Sequence, residues 1–216
     1  MSLIDFPDPR LATFDGIVAV GGKLTPENLL RAYRAGIFPW PIDRWLPWFC
    51  PDERAILEFK DLHFSRSLRK AQRNAGFRFT IDAAFPQVIH NCATVARAHE
   101  PGTWIDREII RAYTELHAVG RAHSVETWRG NQLVGGLYGV DAGGAFAGES
   151  MFYLEPNASK LALLHLIEHL AARGAEWIDA QVMTPHMLAL GAREIPRVEF
   201  LDKLAQTQAR GLRLFD

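Results

Sequence analysis

Asp179 and Gln181 stand two residues apart in a stretch whose other members, Ile178, Ala180 and Val182, are apolar. In an extended strand that spacing sends the acid and the amide to one face and the apolar residues to the other. An earlier strand-like stretch carries a further acid, Glu149. If the two strands are parallel neighbours, all three polar groups converge at one sheet edge, where strands that splay at their C-terminal ends leave a crevice for a ligand. Polar decoration of a sheet end would give the same pattern, so spacing alone defines a site without a reaction.

A second group of residues suits a polyanion. From Leu62 to Ile81 the chain carries Arg66, Arg69, Lys70, Arg73 and Arg78 but neither Asp nor Glu. The first four follow i, i+3, i+4, i+7 spacing and form one helical stripe, while Phe64, Leu68, Ala71 and Ala75 make an apolar face on which the helix can dock. Such a stripe is either a solvated surface or a phosphate-binding one, and the lack of interleaved acids favours phosphate. Three tryptophans, Trp40, Trp45 and Trp48, lie among prolines 39, 41, 47 and 51 and suit a rigid aromatic wall. The competing reading for Trp45 and Trp48 is a small hydrophobic core. His165-Leu166-Ile167-Glu168-His169 fits the H-x-x-E-H zinc pattern. On its helix, however, Leu163, Leu166, Ile167 and Leu170 form the apolar face and leave both histidines on the outer one, so no metal is expected.

The elements that must position these residues follow from periodicity and turn residues. Up to residue 60 the chain is broken by glycines and prolines, with one helix over 25–35 that begins at Thr25-Pro26-Glu27 and stops at Gly36. Helices are predicted over 65–75, 85–95, 106–119 and 157–173. Strands are predicted over 77–81, 123–128, 132–140, 145–152 and 176–182, followed by a short helix over 185–190 and a C-terminal strand and helix. The fold class is therefore α+β. A small irregular N-terminal lobe (1–60) precedes a domain (61–216) with a mixed, mainly antiparallel sheet and flanking helices, an order that resembles the GNAT-like acyltransferase architecture. With 216 residues, 48% of them hydrophobic, the chain can bury a substantial core. The net charge of −1 confines any nucleic-acid binding to a local patch. Cys50 and Cys92 suit packing thiols in a reducing compartment. No basic leader and no long apolar run is present, so a cytoplasmic protein without a membrane partner is expected, with a monomer as the default.

Taken in order, several blocks of the chain resemble the leucyl/phenylalanyl-tRNA–protein transferase family. They include Val20-Gly21-Gly22-Lys23-Leu24, Tyr33-Arg34-Ala35-Gly36-Ile37-Phe38-Pro39-Trp40 and Trp48-Phe49-Cys50-Pro51-Asp52-Glu53-Arg54. Gly102-Thr103-Trp104-Ile105, Gly148-Glu149-Ser150-Met151-Phe152, Asn157-Ala158-Ser159-Lys160 and Ile178-Asp179-Ala180-Gln181 follow. The resemblance implies transfer of Leu, Phe or Met from aminoacyl-tRNA to acceptor proteins with an N-terminal Arg or Lys, marking them for degradation, with no cofactor. It implies that Trp40 and Trp104 hold the terminal adenosine and that Arg66, Lys70 and Arg73 meet the tRNA backbone. Leu137, Leu163, Leu166, Leu170 and Ile178 would surround the aminoacyl side chain. Asp179 would orient Gln181, whose amide oxygen draws the amine proton, while Glu149 holds the reacting ends. Asp179 has an alternative role, pairing with the acceptor's basic N-terminal residue. A coenzyme A-dependent acetyltransferase is the nearest rival, but the turn Leu154-Glu155-Pro156-Asn157-Ala158 lacks the glycines that would cradle a pyrophosphate.

Overall fold

The Thr25 hydroxyl accepts a hydrogen bond from the Asn28 N–H, Pro26 takes the first helical position, and Gly36 turns out at φ 76°, so helix α1 (Pro26–Arg34) has the ends its sequence specifies. The computed structural model describes residues 3–42, 44–95 and 103–215. Gly102 of the quoted motifs lies outside them. Around α1, strands β1 (Ile17–Val20), β2 (Phe38–Pro39) and β3 (Pro47–Phe49) form an antiparallel sheet in the order β1-β3-β2.

The larger sheet contains seven strands among the described residues: β4 (Glu53–Glu58), β5 (Arg78–Ile81), β6 (Ala122–Arg129), β7 (Gln132–Asp141), β8 (Phe146–Tyr153), β9 (Trp177–Gln181) and β10 (Arg193–Pro196). Their order is β10-β4-β9-β8-β7-β6-β5. Every pairing is antiparallel except β8 with β9. That parallel pair is joined by helix α5 (Ala158–Ala172), as a parallel connection requires. Its register runs through Phe146↔Ile178 and Ala147↔Asp179, after which the two strands part. The expected division at residue 60 falls after β4, whereas hydrogen bonding places β4 inside the large sheet, between β10 and β9. The chain changes sheets between Phe49 and Glu53.

Helices α2 (Arg66–Asn74), α3 (Phe85–Thr94), α4 (Arg107–Ala118), α6 (Pro185–Ala189) and α7 (Arg197–Ala209) complete the fold. One sheet face meets α1, α3, α4 and α7 in a core that holds Ile109, Tyr113, Tyr138, Ala147, Trp177 and Phe200 and continues into the N-terminal lobe through Tyr33, Phe38 and Trp48. The other face meets α5 through Leu137, Phe146, Leu163, Leu166, Leu170 and Ile178. Gly135 lets α5 begin hard against β7, since a side chain there would come within 2.5 Å of the Ala158 Cβ. Helix α2 docks as its pattern predicts, with Leu68 on Leu161 and Leu164 and with Phe64, Ala71 and Ala75 packed around them. Cys50 and Cys92 are buried free thiols. Among the described residues no helix is long and apolar enough to cross a membrane.

Candidate active site

Where β8 and β9 part, Glu149 and Gln181 face each other across the gap. The Gln181 side-chain amide donates to Glu149 Oε1 at 2.5 Å. Two tyrosines from the opposing helices reach the same carboxyl. Tyr33 of α1 lies 2.6 Å from Oε1 and Tyr113 of α4 lies 3.2 Å from Oε2, and the two phenol oxygens are also within hydrogen-bond reach of each other, so two phenol protons are shared among three contacts. Burial pushes the Glu149 carboxyl up to about 7 and outweighs these donors, while the nearby Asp179 charge adds to the rise. Burial together with the Glu149 charge also holds both phenols well above their ordinary range. The result is a half-buried acid that exchanges its proton near neutrality, bounded by the Gln181 amide and two phenols.

Asp179 has a different partner. Arg54, on the adjacent strand β4, grips it through two parallel bonds, Nε to Oδ1 at 2.8 Å and an Nη to Oδ2 at 2.7 Å. The Arg54 guanidinium lies between the rings of Phe38 and Phe200, 4.7 and 4.4 Å from their centroids, and the residue is 1% exposed. Burial would lower its pKa, but the Asp179 charge and hydrogen bonds raise it above the usual value. Asp179 Oδ1 also accepts the backbone N–H of Gln181 at 2.9 Å.

That last bond marks a departure from simple alternation. Gln181 adopts φ 62°, and the Val182 N–H closes back on the Ala180 carbonyl at 2.7 Å. A left-handed non-glycine residue is strained by about 1–3 kcal/mol. The strand therefore ends at Gln181, not at 182, and Val182 is 39% exposed instead of continuing an apolar face. From this turn the Gln181 amide reaches Glu149, and the Asp179 carboxylate accepts the N–H of the turn residue. With its N–H group committed to Glu149, Gln181 presents its carbonyl oxygen as the remaining acceptor.

Trp40 and Trp104, 64 residues apart in sequence, meet with ring centroids 6.2 Å apart. Trp40 is 37% exposed and Trp104 half-buried. Phe38 links this pair to the carboxylates, since its ring lies 6.2 Å from that of Trp40 and against the Arg54 guanidinium. Of the other two hairpin indoles, Trp48 is core, donating to the Gly21 carbonyl at 2.9 Å, whereas Trp45 is exposed. Leu137, Leu163, Leu166, Leu170 and Ile178 are brought together, each at most 4% exposed, in one packed layer between α5 and the sheet. Arg66, Arg69, Lys70 and Arg73 are exposed along α2.

The histidine pattern on α5 has other partners than a metal. His165 stacks on Phe79, and His169 bonds the Leu214 carbonyl at 2.8 Å and stacks on Phe215, so both are half-buried and not on a solvated outer face. Among the described residues no three or more His, Cys, Asp or Glu side chains are grouped as metal ligands. At the start of α5, where a pyrophosphate would bind in the rival reading, Glu155 is held by Arg129 at 2.6–2.9 Å and keeps an acid beside the helix N-terminus.

Sequence reasoning missed Arg54, Tyr33 and Tyr113. A signal existed for Arg54, a lone cation immediately before the apolar run Ala55-Ile56-Leu57. For the tyrosines there was none, because each sits among the apolar residues of an amphipathic helix.

Comparison with known proteins supplies the context for this cluster. The family profile described as "Leucyl/phenylalanyl-tRNA protein transferase" matches residues 56–205, and the profile of that family's N-terminal domain matches residues 22–52. A leucyl/phenylalanyl-tRNA–protein transferase of Anaeromyxobacter sp. (strain Fw109-5) is 51% identical over 96% of this chain and 88% of its own. Proteins of the same name from Desulfatibacillum aliphaticivorans and Yersinia enterocolitica are 51% and 49% identical, each over 94% of this chain and over 88% and 86% of their own.

Proposed function

The chain belongs to the leucyl/phenylalanyl-tRNA–protein transferase family, and on that premise we propose that it moves Leu, Phe or Met from aminoacyl-tRNA to the N-terminal Arg or Lys of acceptor proteins in the cytoplasm. The observation that carries the reading at this site is the continuity from the Trp40–Trp104 pair through Phe38 and Arg54 to Asp179, Gln181 and Glu149. The parting of a parallel strand pair at the site is also what a GNAT-like acyltransferase needs for its donor.

Aminoacyl-tRNA is an activated ester, so catalysis consists of holding the amine against the carbonyl and moving one proton. The α-amino group, with a pKa of about 7.7–8.0, supplies a neutral fraction near neutrality. Its N–H is accepted by the free carbonyl oxygen of Gln181. Attack forms the new C–N bond, and collapse breaks the ester bond, expelling the ribose hydroxyl of the terminal adenosine. An amide oxygen is too weak a base to keep the proton. Glu149, pushed up to about 7, is the group matched to take it and return it to the departing ribose oxygen.

Asp179 acts as the anchor of Gln181. Both its oxygens are engaged by Arg54 and one also by the Gln181 N–H, which favours this role over pairing with the acceptor's basic side chain. Adenosine stacks at Trp40 and Trp104, a mode suited to an unpaired base. Arg66, Lys70 and Arg73 meet phosphates of the tRNA. The layer of Leu137, Leu163, Leu166, Leu170 and Ile178 opens to take an apolar side chain. Incubation with radiolabelled leucyl-tRNA and an N-terminal-arginine peptide tests the proposal. Label is expected on the peptide, and label left wholly on the tRNA would overturn it.

A further inference from the structure

The β2–β3 hairpin carries one more exposed indole than the adenosine site uses. Its register pairs Phe38 with Phe49 and Pro39 with Trp48, and the Trp40 N–H bonds the Pro47 carbonyl. At the tip Ile42 and Trp45 exchange both backbone bonds, at 3.0 and 2.9 Å. Cross-strand partners share a face and alternate with the pleat. Phe38, Phe49, Trp40, Ile42 and Trp45 therefore lie on one face, whereas Trp48 lies on the other, in the core. Burial agrees: along the first face exposure climbs from 2% at Phe38 to 37% at Trp40, 50% at Ile42 and 59% at Trp45. Trp45 is the diagonal cross-strand neighbour of Trp40, about 7–8 Å away between backbones. The Arg44 guanidinium sits 5.9 Å from the centroid of the Trp45 ring.

We propose that Trp45, flanked by Arg44, is a second stacking platform that takes the base preceding the terminal adenosine in the single-stranded 3′ end of the donor. The proposal rests on the adenosine reading of Trp40 and Trp104. The stripe continues directly from that pair, and an unpaired strand leaving an adenosine held there meets the next indole on the same face. Indole stacking tolerates any base, and an adjacent guanidinium serves both as a stacking surface and as a phosphate partner. A hairpin tip has no folding need for an exposed tryptophan, where small polar residues are favoured.

Transfer to an N-terminal-arginine peptide would be measured with two donors, leucyl-adenosine and a 3′-leucylated trinucleotide ending in C-C-A. Trp45→Ala is expected to raise KM for the trinucleotide between about fivefold and about a hundredfold with kcat retained, the range that one lost base stack gives. That penalty vanishes with leucyl-adenosine, which has no preceding base, and Trp45→Phe recovers most of the loss. Trp40→Ala should raise KM for both donors. An equal KM change for both donors in Trp45→Ala, no change for either, or a change confined to the KM of the acceptor peptide would overturn the proposal. Trp40→Ala that leaves both donors unaffected would instead refute the adenosine site.

Discussion

Replacing Arg54 with methionine tests whether the turn at Gln181 depends on a buried ion pair. Arg54 and Asp179 have side chains only 1% and 7% exposed and are joined by two short bonds. Methionine keeps much of the packing against Phe38 and Phe200 but leaves a carboxylate buried without its cation. Breaking such a pair from one side costs about 3–5 kcal/mol. With a urea m-value of about 2–3 kcal/mol/M, a loss of about 4 kcal/mol lowers the unfolding midpoint by roughly 1.5 M. Transfer should fall at least tenfold at a temperature where the variant is still folded, because Asp179 no longer holds the Gln181 turn. The double variant Arg54→Met with Asp179→Asn removes the uncompensated charge and should regain most of the lost stability while staying inactive. A single variant within about 1 kcal/mol of the parent, or a double variant no more stable than the single one, would show that the pair is not what fixes Asp179.

Glu149 gives the molecule a defined pH response: its carboxyl titrates near 7 in the fold and at the ordinary 4.5 when unfolded, so the unfolded chain loses this proton first. Stability should fall by about 3 kcal/mol as pH rises from about 4.5 to about 7 and then level off; urea titrations at pH 5 and 8 should show this drop and its absence in Glu149→Gln, and equal slopes in both proteins would refute it. Asp179→Ala should cut transfer to an N-terminal-arginine peptide by orders of magnitude while leaving tRNA affinity nearly intact, and near-normal turnover would refute the anchoring role. Replacing Arg66, Lys70 and Arg73 together with alanine should flatten the dependence of log affinity for tRNA on log salt by about 2–3, and an unchanged slope would place the tRNA elsewhere.

What the residues determined by themselves was local. Thr25-Pro26 and Gly36 set the ends of α1, Leu68, Ala71 and Ala75 set the docked face of α2, and the order of strands around α5 gave the α+β class with a parallel pair. The trio Glu149, Asp179 and Gln181 was legible because a period of two and a crossover helix are features of short stretches. The histidines of α5 mark the limit of such patterns, since periodicity put them outside whereas Phe79, Leu214 and Phe215 cover them. The partners of each member of the trio were set only in three dimensions. Arg54 reaches Asp179 across 125 residues of chain, and Tyr33 reaches Glu149 across 116. The strand ends at Gln181 in a left-handed turn that no alternation rule contains. Charge state and aim depend on burial and on partners brought from distant elements, and those exist only once the sheet and its helices have closed around the carboxylates.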